Sequence, residues 1–561
     1  MRTPVRELLL AERDAAAKAL LSINARINTA APVSRLAPEI LAQIFSYCAE
    51  DEMTWRRKEG AGVGWISVTH VCRRWRQIAL DYSRLWRHII LPLNNRLAEE
   101  WISRAKAAPI TVSWIHASTH KISADRLIPS TLSQVECLDF HEFNGIYAGL
   151  LHFVTSPAPL LKEAHIRWLS ALPHDLFGGS APVLRHLSIS ECTRFPWTSP
   201  IISNLVYLKV EYAVRDAHQP IGAELFSAIC NAKALKKLAL IGCVPRTSPH
   251  STNLTYTPPH LQFLHLSGDA ICCIDFVRRI RFPDAGVALR LRCRTFGPAT
   301  IFLPLLPLLS IAGGASPASF SKFCFEFRSH RTLSLTAERP GGADTPCIDL
   351  VCEWDHGGWT FMDLMGAACQ ALSVEHLVEL TVKFLEIDEE LTQEIDRARW
   401  VSLFGSAKRV SAATICGSAV YSFCEALSLT THDGRTWQDH DTDGEDAGGD
   451  SAWFFLPQLG DLDLFNMKWS HHHTERKLLL SDLLLLSLHA RNKGHAPKLQ
   501  LTVDHCSTRT AEKLRPHLIS LQVDEDFFMN VYSKMDWRED EGGEDEDENG
   551  ESEIDRSMQS N

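Results

Sequence analysis

The stretches LRHLSI (184–189), LVYLKV (205–210), LKKLAL (235–240) and LQFLHL (261–266) decide the fold. Each places apolar residues at positions one, four and six. Two looser copies precede them, VECLDF (135–140) and LKEAHI (161–166), and the six starts lie 26, 23, 21, 30 and 26 residues apart. In an extended strand, side chains alternate between faces, so the fourth and sixth positions point together into a core. A unit this short cannot bury that face alone. Stacked units can, each strand returning through a loop or helix to the next.

The period is that of a leucine-rich repeat, roughly 20–29 residues. Cys192 and Cys243 stand where that repeat carries Asn or Cys. The pattern fades between 281 and 455, although Leu377–Leu380–Val382 fits it, and it fits again at Leu459–Leu462–Leu464, with Leu518–Leu521–Val523 read as a terminal unit. The expected fold is therefore an α/β repeat, an irregular leucine-rich-repeat solenoid over 91–525. An acidic, Gly-containing insertion falls near 431–450. Residues 526–561 read as an acidic disordered tail. The uncharged stretch from Thr295 to Ser321 has an apolar heart, Ile301 to Ala312, interrupted by Pro304 and Pro307. It is shorter than the ~20 residues a spanning helix needs, and reads as core.

The chain has 561 residues with 57 Lys and Arg against 68 Asp and Glu, a net charge of −11. Eleven of the acids lie between Glu539 and Asp555, so the rest of the chain is about neutral. That argues against nucleic-acid binding, which needs a basic footprint. The 16 Cys are scattered without any C-x-x-C, so no zinc site is expected. The N-terminal residues carry charges where a secretory leader needs an apolar run. Buried, reduced thiols and a cytoplasmic and/or nuclear location are expected, with no membrane segment and no cofactor.

Ahead of the repeats the periodicity is helical. Residues 4–28 read as one helix, with Val5, Leu8/Leu9, Ala16, Ala19/Leu20, Ile23 and Ile27 at three-and-four spacing. Residues 1–31 thus form an N-terminal helix, read equally as solvent-exposed, as a coiled coil or as docked. Pro38 and Glu39 then suit a helix start, and Ile40, Leu41, Ile44, Phe45 and Cys48 share one face. Residues 51–64 read as a charged, Gly-rich loop. Trp65 to Trp86 is again helical, with Val68, Val71, Cys72, Trp75, Ile78 and Ala79 apolar. About fifty residues make too small a core to stand alone, so this unit is expected to share apolar surface with the array or a partner.

Leu36-Ala-Pro38-Glu-Ile40-Leu41 with Ile44-Phe45, then Val71-Cys72-Arg-Arg-Trp75-Arg and Arg84-Leu85-Trp86, resemble an F-box. A 32–90 F-box domain, a preceding helix and degenerate repeats together resemble the large F-box family of mushroom-forming fungi. Ala37 replaces the commoner residue before Pro, and the 51–64 loop is long. The resemblance implies docking on the Skp-type adaptor of an SCF ubiquitin ligase and, through it, on a cullin. Carried over by position, the adaptor-binding set is Leu36, Pro38, Ile40, Leu41, Ile44, Phe45, Val68, Val71, Cys72 and Trp75, supported by Ile78, Leu85 and Trp86. Some of these must be the module's own core, and the sequence does not separate the two groups.

In the array, the outward strand positions are expected to meet a protein substrate, with His165, Arg167, His186, Ser188, Tyr207, Lys209, Phe263 and His265 as the candidate contacts. Their mixed charge and aromatic content suit a protein better than a phosphate backbone. Gly60-Ala-Gly62-Val-Gly64 lacks the spacing of a dinucleotide loop, and no P-loop or G-x-S-x-G occurs. His471-His472-His473 reads as a solvated loop, so neither a metal site nor a catalytic one is expected. The leading reading is a non-enzymatic substrate receptor of an SCF-type ligase. A repeat scaffold without ligase recruitment, and a hydrolase with an unrecognised site, are the alternatives.

Overall fold

The computed structural model describes residues 4–56, 64–91, 95–114, 132–141, 154–213, 222–245, 255, 257–283, 286–312, 320–329, 331–340, 347–355, 361–385, 396–428, 454–466, 479–493, 496–504 and 506–524. The acidic insertion, His471–His473 and the acidic tail lie outside them. The chain divides into two compact units. One is Met1–Ile395 with Ser402–Arg409; the other is Asp396–Val401 with Val410–Asn561.

The first unit opens with α1 (Pro4–Ala30), unbroken as the periodicity predicts, and a 3-10 turn over Pro32–Arg35. Next is α2 (Pro38–Arg56), with Pro38 at its first position. It runs into the segment read as a loop, because Asp51 to Arg56 contains no Gly or Pro to stop it. The helical run expected from Trp65 to Trp86 is broken twice. It comprises a 3-10 turn (Gly64–Ser67), α3 (Val68–Val71), α4 (Arg73–Asp81) and a second 3-10 turn (Ser83–Trp86). Cys72 is extended, and its sulfur accepts the Trp75 N–H at 3.5 Å, so the residue that ends α3 caps α4.

Among the described residues nine strands follow: β1 (His88–Leu91), β2 (Ile110–Trp114), β3 (Val135–His141), β4 (Glu163–Arg167), β5 (His186–Cys192), β6 (Tyr207–Tyr212), β7 (Lys237–Ile241), β8 (Phe263–Asp269) and β9 (Ala288–Thr295). Helix α5 (Asn95–Ala105) lies between the first two. Every strand pairs in parallel with the one before it. The register carries the sequence pattern across the sheet. Leu138, Ala164, Leu187, Leu208, Leu238, Leu264 and Leu289 are successive partners in one row. Phe140, Ile166, Ile189, Val210, Leu240, Leu266 and Leu291 form the next. All are buried. Each of these side chains larger than Ala164 contributes about 1.5–3 kcal/mol relative to exposure. Cys192, at the end of β5, donates its thiol to the Glu211 carbonyl at 3.6 Å, and Cys243, just after β7, donates to the Val210 carbonyl at 3.4 Å, so both thiols bond to the backbone of β6.

Beyond β9 the order changes. With β10 (Lys322–Ser329), β11 (Thr332–Glu338), β12 (Ile348–Trp354) and β13 (Glu379–Phe384), the sheet continues β9-β12-β11-β10-β13. Only β11 runs against the others. Phe323, Phe325 and Phe327 of β10 fill the core, and Phe327 stacks on Phe384 at 4.6 Å. The apolar stretch around Pro304 and Pro307 is core as expected, with Phe302, Leu305, Leu306 and Leu309 buried.

The described residues of the second unit form four parallel strands in order, β14 (Ala412–Cys416), β15 (Asp461–Phe465), β16 (Gln500–Val503) and β17 (Ser520–Val523). Its core includes Phe423, Phe455, Leu484 and Leu488. Arg491, 1% exposed on the helix Leu480–Lys493, donates to the carbonyls of Phe455, Leu456 and Leu459 at 3.0, 3.2 and 3.3 Å. Burial pulls its pKa down to about 10, still well above neutrality. A buried cation held by three carbonyls fixes the turn at Leu456, whose φ is +50°. Arg491→Met is expected to destabilise this unit by about 2–4 kcal/mol by orphaning those carbonyls. Urea unfolding checks it, and an unchanged midpoint would contradict the assignment.

Candidate functional site

The helical module separates the residues that the sequence had grouped together. On α2, Leu41 and Phe45 are 1% exposed, whereas Ile40 and Ile44 are 45% and 41% exposed. One helix therefore carries two apolar strips, one turned into the module and one outward. Leu36, Pro38 and Val71 are exposed, while Val68, Cys72 and Trp75 are half-buried. Tyr47, which the sequence reading did not single out, is also exposed, three residues beyond Ile44. Leu36, Ile40, Ile44, Tyr47 and Val71 thus stand outside the module's core.

The buried strip explains the module's shape. Phe45 meets Trp75 with ring centroids 5.0 Å apart. Ala79 and Leu85 are buried behind them. Arg74 donates to the carbonyls of Ser34 and Leu36, both at 2.6 Å, and so holds the approach to α2 against α4. Arg76 donates to the Thr69 carbonyl at 2.8 Å. Arg74 and Arg76 thus position Leu36 and α3. Trp65, Trp86 and Trp101 form a triangle with centroids 5.1, 5.5 and 5.7 Å apart. Trp101 belongs to α5, so the module completes its core with the element that follows it, as its small size predicts.

On the sheet, the register aligns the outward residues in two rows. One is Glu163, His186, Tyr207, Lys237 and Phe263; the other is His165, Ser188, Lys209, Ala239 and His265. Arg167 belongs to a third, between His141 and Ser190. All eight candidate contacts thus lie on one face. Ala239 is buried rather than exposed, because its short side chain lies between Lys209 and His265 in the same row. His186 faces the Glu163 carboxylate at 3.1 Å, Lys209 pairs with Glu211 at 3.1 Å, and Arg167 pairs with Glu191 at 2.6 Å. A hollow of about 250 Å³ opens among Glu163, His165, His186, Tyr207 and Lys237.

A second part of this face was not anticipated. Arg290, Arg292 and Arg294 occupy alternate outward positions on β9. Asp349 of β12 accepts from Arg290 at 3.0 Å and from both terminal nitrogens of Arg292 at 2.8 and 3.1 Å. Arg294 lies over Phe296, 5.6 Å from its centroid, and Phe296 is 69% exposed. Arg292, Arg294 and Phe296 border a hollow of about 350 Å³ with Tyr212, Ile241 and Ser267. Its signal in the sequence was LRLRCR (289–294), a strict apolar–basic alternation.

Among the described residues, no His, Cys, Asp and Glu cluster is placed to hold a metal ion, and no helix is long and apolar enough to cross a membrane. A small helical module with an exposed apolar strip is thus joined to a long, largely parallel sheet. Residues 34–92 match the F-box-like family, so the chain carries an F-box-like domain there. F-box domains typically bind Skp-type adaptors, and F-box proteins serve generally as adaptors for substrates of SCF ligases. No curated protein matches the chain.

Proposed function

We propose that this protein is the substrate-recognition subunit of an SCF-type ubiquitin-protein ligase. The observation that carries the reading is the split α2 face within a matched F-box-like domain: Leu41 and Phe45 hold the module together while Ile40 and Ile44 stay outside. Leu36, Pro38, Ile40, Ile44 and Val71 would meet the Skp-type adaptor, and a cullin would follow through it. The strands, which we read as a degenerate leucine-rich-repeat array, would hold a protein substrate on the His165–His265 face. The chain would make no bonds itself; it would supply proximity. It would work in the cytoplasm and/or nucleus.

Binding of the full chain to a purified Skp-type adaptor tests this. Ile40→Glu/Ile44→Glu is expected to weaken binding at least a hundredfold, since it places two charges in an apolar interface. Both residues are solvent-facing, so the unfolding midpoint should move little. Absence of binding by folded wild-type chain would remove the ligase reading and favour a repeat scaffold.

A further inference from the structure

Helix α1 is 27 residues long, about 40 Å at 1.5 Å per residue. Every residue described from Val5 to Ala30 is exposed except Asn28, which is half-buried. Val5, Leu9, Leu20, Ile23 and Ile27 are 51–63% exposed. Nothing among the described residues covers this face, although five large aliphatic side chains share it.

The spacing of the stripe identifies its occupant. Val5, Leu9, Glu12, Ala16, Leu20, Ile23 and Ile27 lie within roughly 40° of one line along the helix. Their separations are 4, 3, 4, 4, 3 and 4 residues, the same read from either end. The stripe is therefore symmetric about Ala16. Turned end for end on a second copy, it matches itself: Val5 meets Ile27, Leu9 meets Ile23, Glu12 meets Leu20, and Ala16 meets Ala16 on the two-fold axis. Such a self-complementary patch makes a closed, isologous pair.

Charge selects the same orientation. The first half of the helix holds Glu7, Glu12 and Asp14 against Arg6 and Arg13; the second half holds Lys18 and Arg26 with no acid. Antiparallel pairing sets the acidic half of each helix against the basic half of the other, and opposes the helix dipoles. Parallel pairing would place Glu12 against Glu12 in the seam. Ala16 at the centre also permits close approach of the two backbones.

We propose that α1 pairs with α1 of a second copy of this chain, antiparallel and centred on Ala16, so that the protein is a dimer. This does not depend on the ligase reading. The exposed α2 strip is not part of the stripe, so both copies keep it free.

Light scattering on the full chain should give twice 62.9 kDa at micromolar concentration. Leu9→Glu/Ile23→Glu should weaken association at least a hundredfold with the unfolding midpoint of the body unchanged. Orientation is read by disulfide trapping with diamide, the wild-type chain being the control for native thiols. Ala16→Cys should cross-link to itself. Val5→Cys alone should not, but should cross-link when mixed with Ile27→Cys. A monomeric wild-type chain at tens of micromolar overturns the proposal. So does self-cross-linking of Val5→Cys, which would mean parallel helices, or capture of α1 by a different protein with no dimer formed.

Discussion

Trp101→Ala is expected to destabilise the F-box-like module by about 3–5 kcal/mol, although Trp101 lies beyond the last residue matched to that family. Trp65, Trp86 and Trp101 are each no more than 4% exposed, and each ring contacts the other two. Removing one leaves a cavity against two large, rigid neighbours that cannot collapse into it. Trp86 is also held by its indole N–H, which donates to the Ala79 carbonyl at 2.7 Å, and by Arg104 of α5, 4.4 Å above its ring. The damage should therefore reach α4. Tryptophan fluorescence during urea unfolding would follow the change directly, and adaptor affinity should fall as the module loosens. Trp101→Phe should retain much of the stability, because a ring still fills the site. If residues 34–92 alone proved as stable as the full chain, the shared core would not be a physical requirement.

Raising the pH from 8 to 10 is expected to cost the first unit several kcal/mol. Burial pushes the Cys192 thiol up to about 12 and that of Cys324 up to about 11, from an ordinary value of 9.0. Cys243, Cys352 and Cys369 are raised by burial as well, and Cys273 by its hydrogen bond to Cys293 together with burial. In each case the unfolded chain gives up its proton first. The stabilisation is thus complete below pH 9 and is lost as the pH climbs toward the folded values. At pH 10 each thiol contributes a loss on the order of 1 kcal/mol. Thermal melts between pH 8 and 10 would measure the slope. Cys192→Ala should flatten it by about one proton, whereas an unchanged slope would mean that the thiol already titrates in the folded chain.

What the sequence revealed, and what it hid, depended on residue size. Strands led by leucine were plain because Leu187, Leu208, Leu238 and Leu264 repeat both the residue type and the spacing. β10 follows the same template with phenylalanine, Phe320-x-x-Phe323-x-Phe325, and β14 follows it with smaller residues, Val410-x-x-Ala413-x-Ile415. A search tuned to leucine passes over both, although the inward geometry is the same. The reordering of β10 to β12 had no local signal, since pairing partners are chosen by tertiary contacts. The adaptor set was legible as a group but not divisible. Ile40 and Leu41 are equally apolar, and only the position of α4 and its Trp75 decides which one faces in. Trp101 had no motif at all; its role arises from the distance between two other tryptophans.

The strand order β9-β12-β11-β10-β13 has a consequence for synthesis. As the chain leaves the ribosome, β2 to β9 can each settle against a neighbour already made. β10 cannot, for its partners are β11 and β13, both still to come. The outer edge of β9 must wait for Ile348 to Trp354, some fifty residues later. Until then its unpaired N–H and C=O groups remain open to any strand that arrives. Vectorial folding therefore pauses at β9, and the segment carrying β10, β11 and β12 closes that edge as a block.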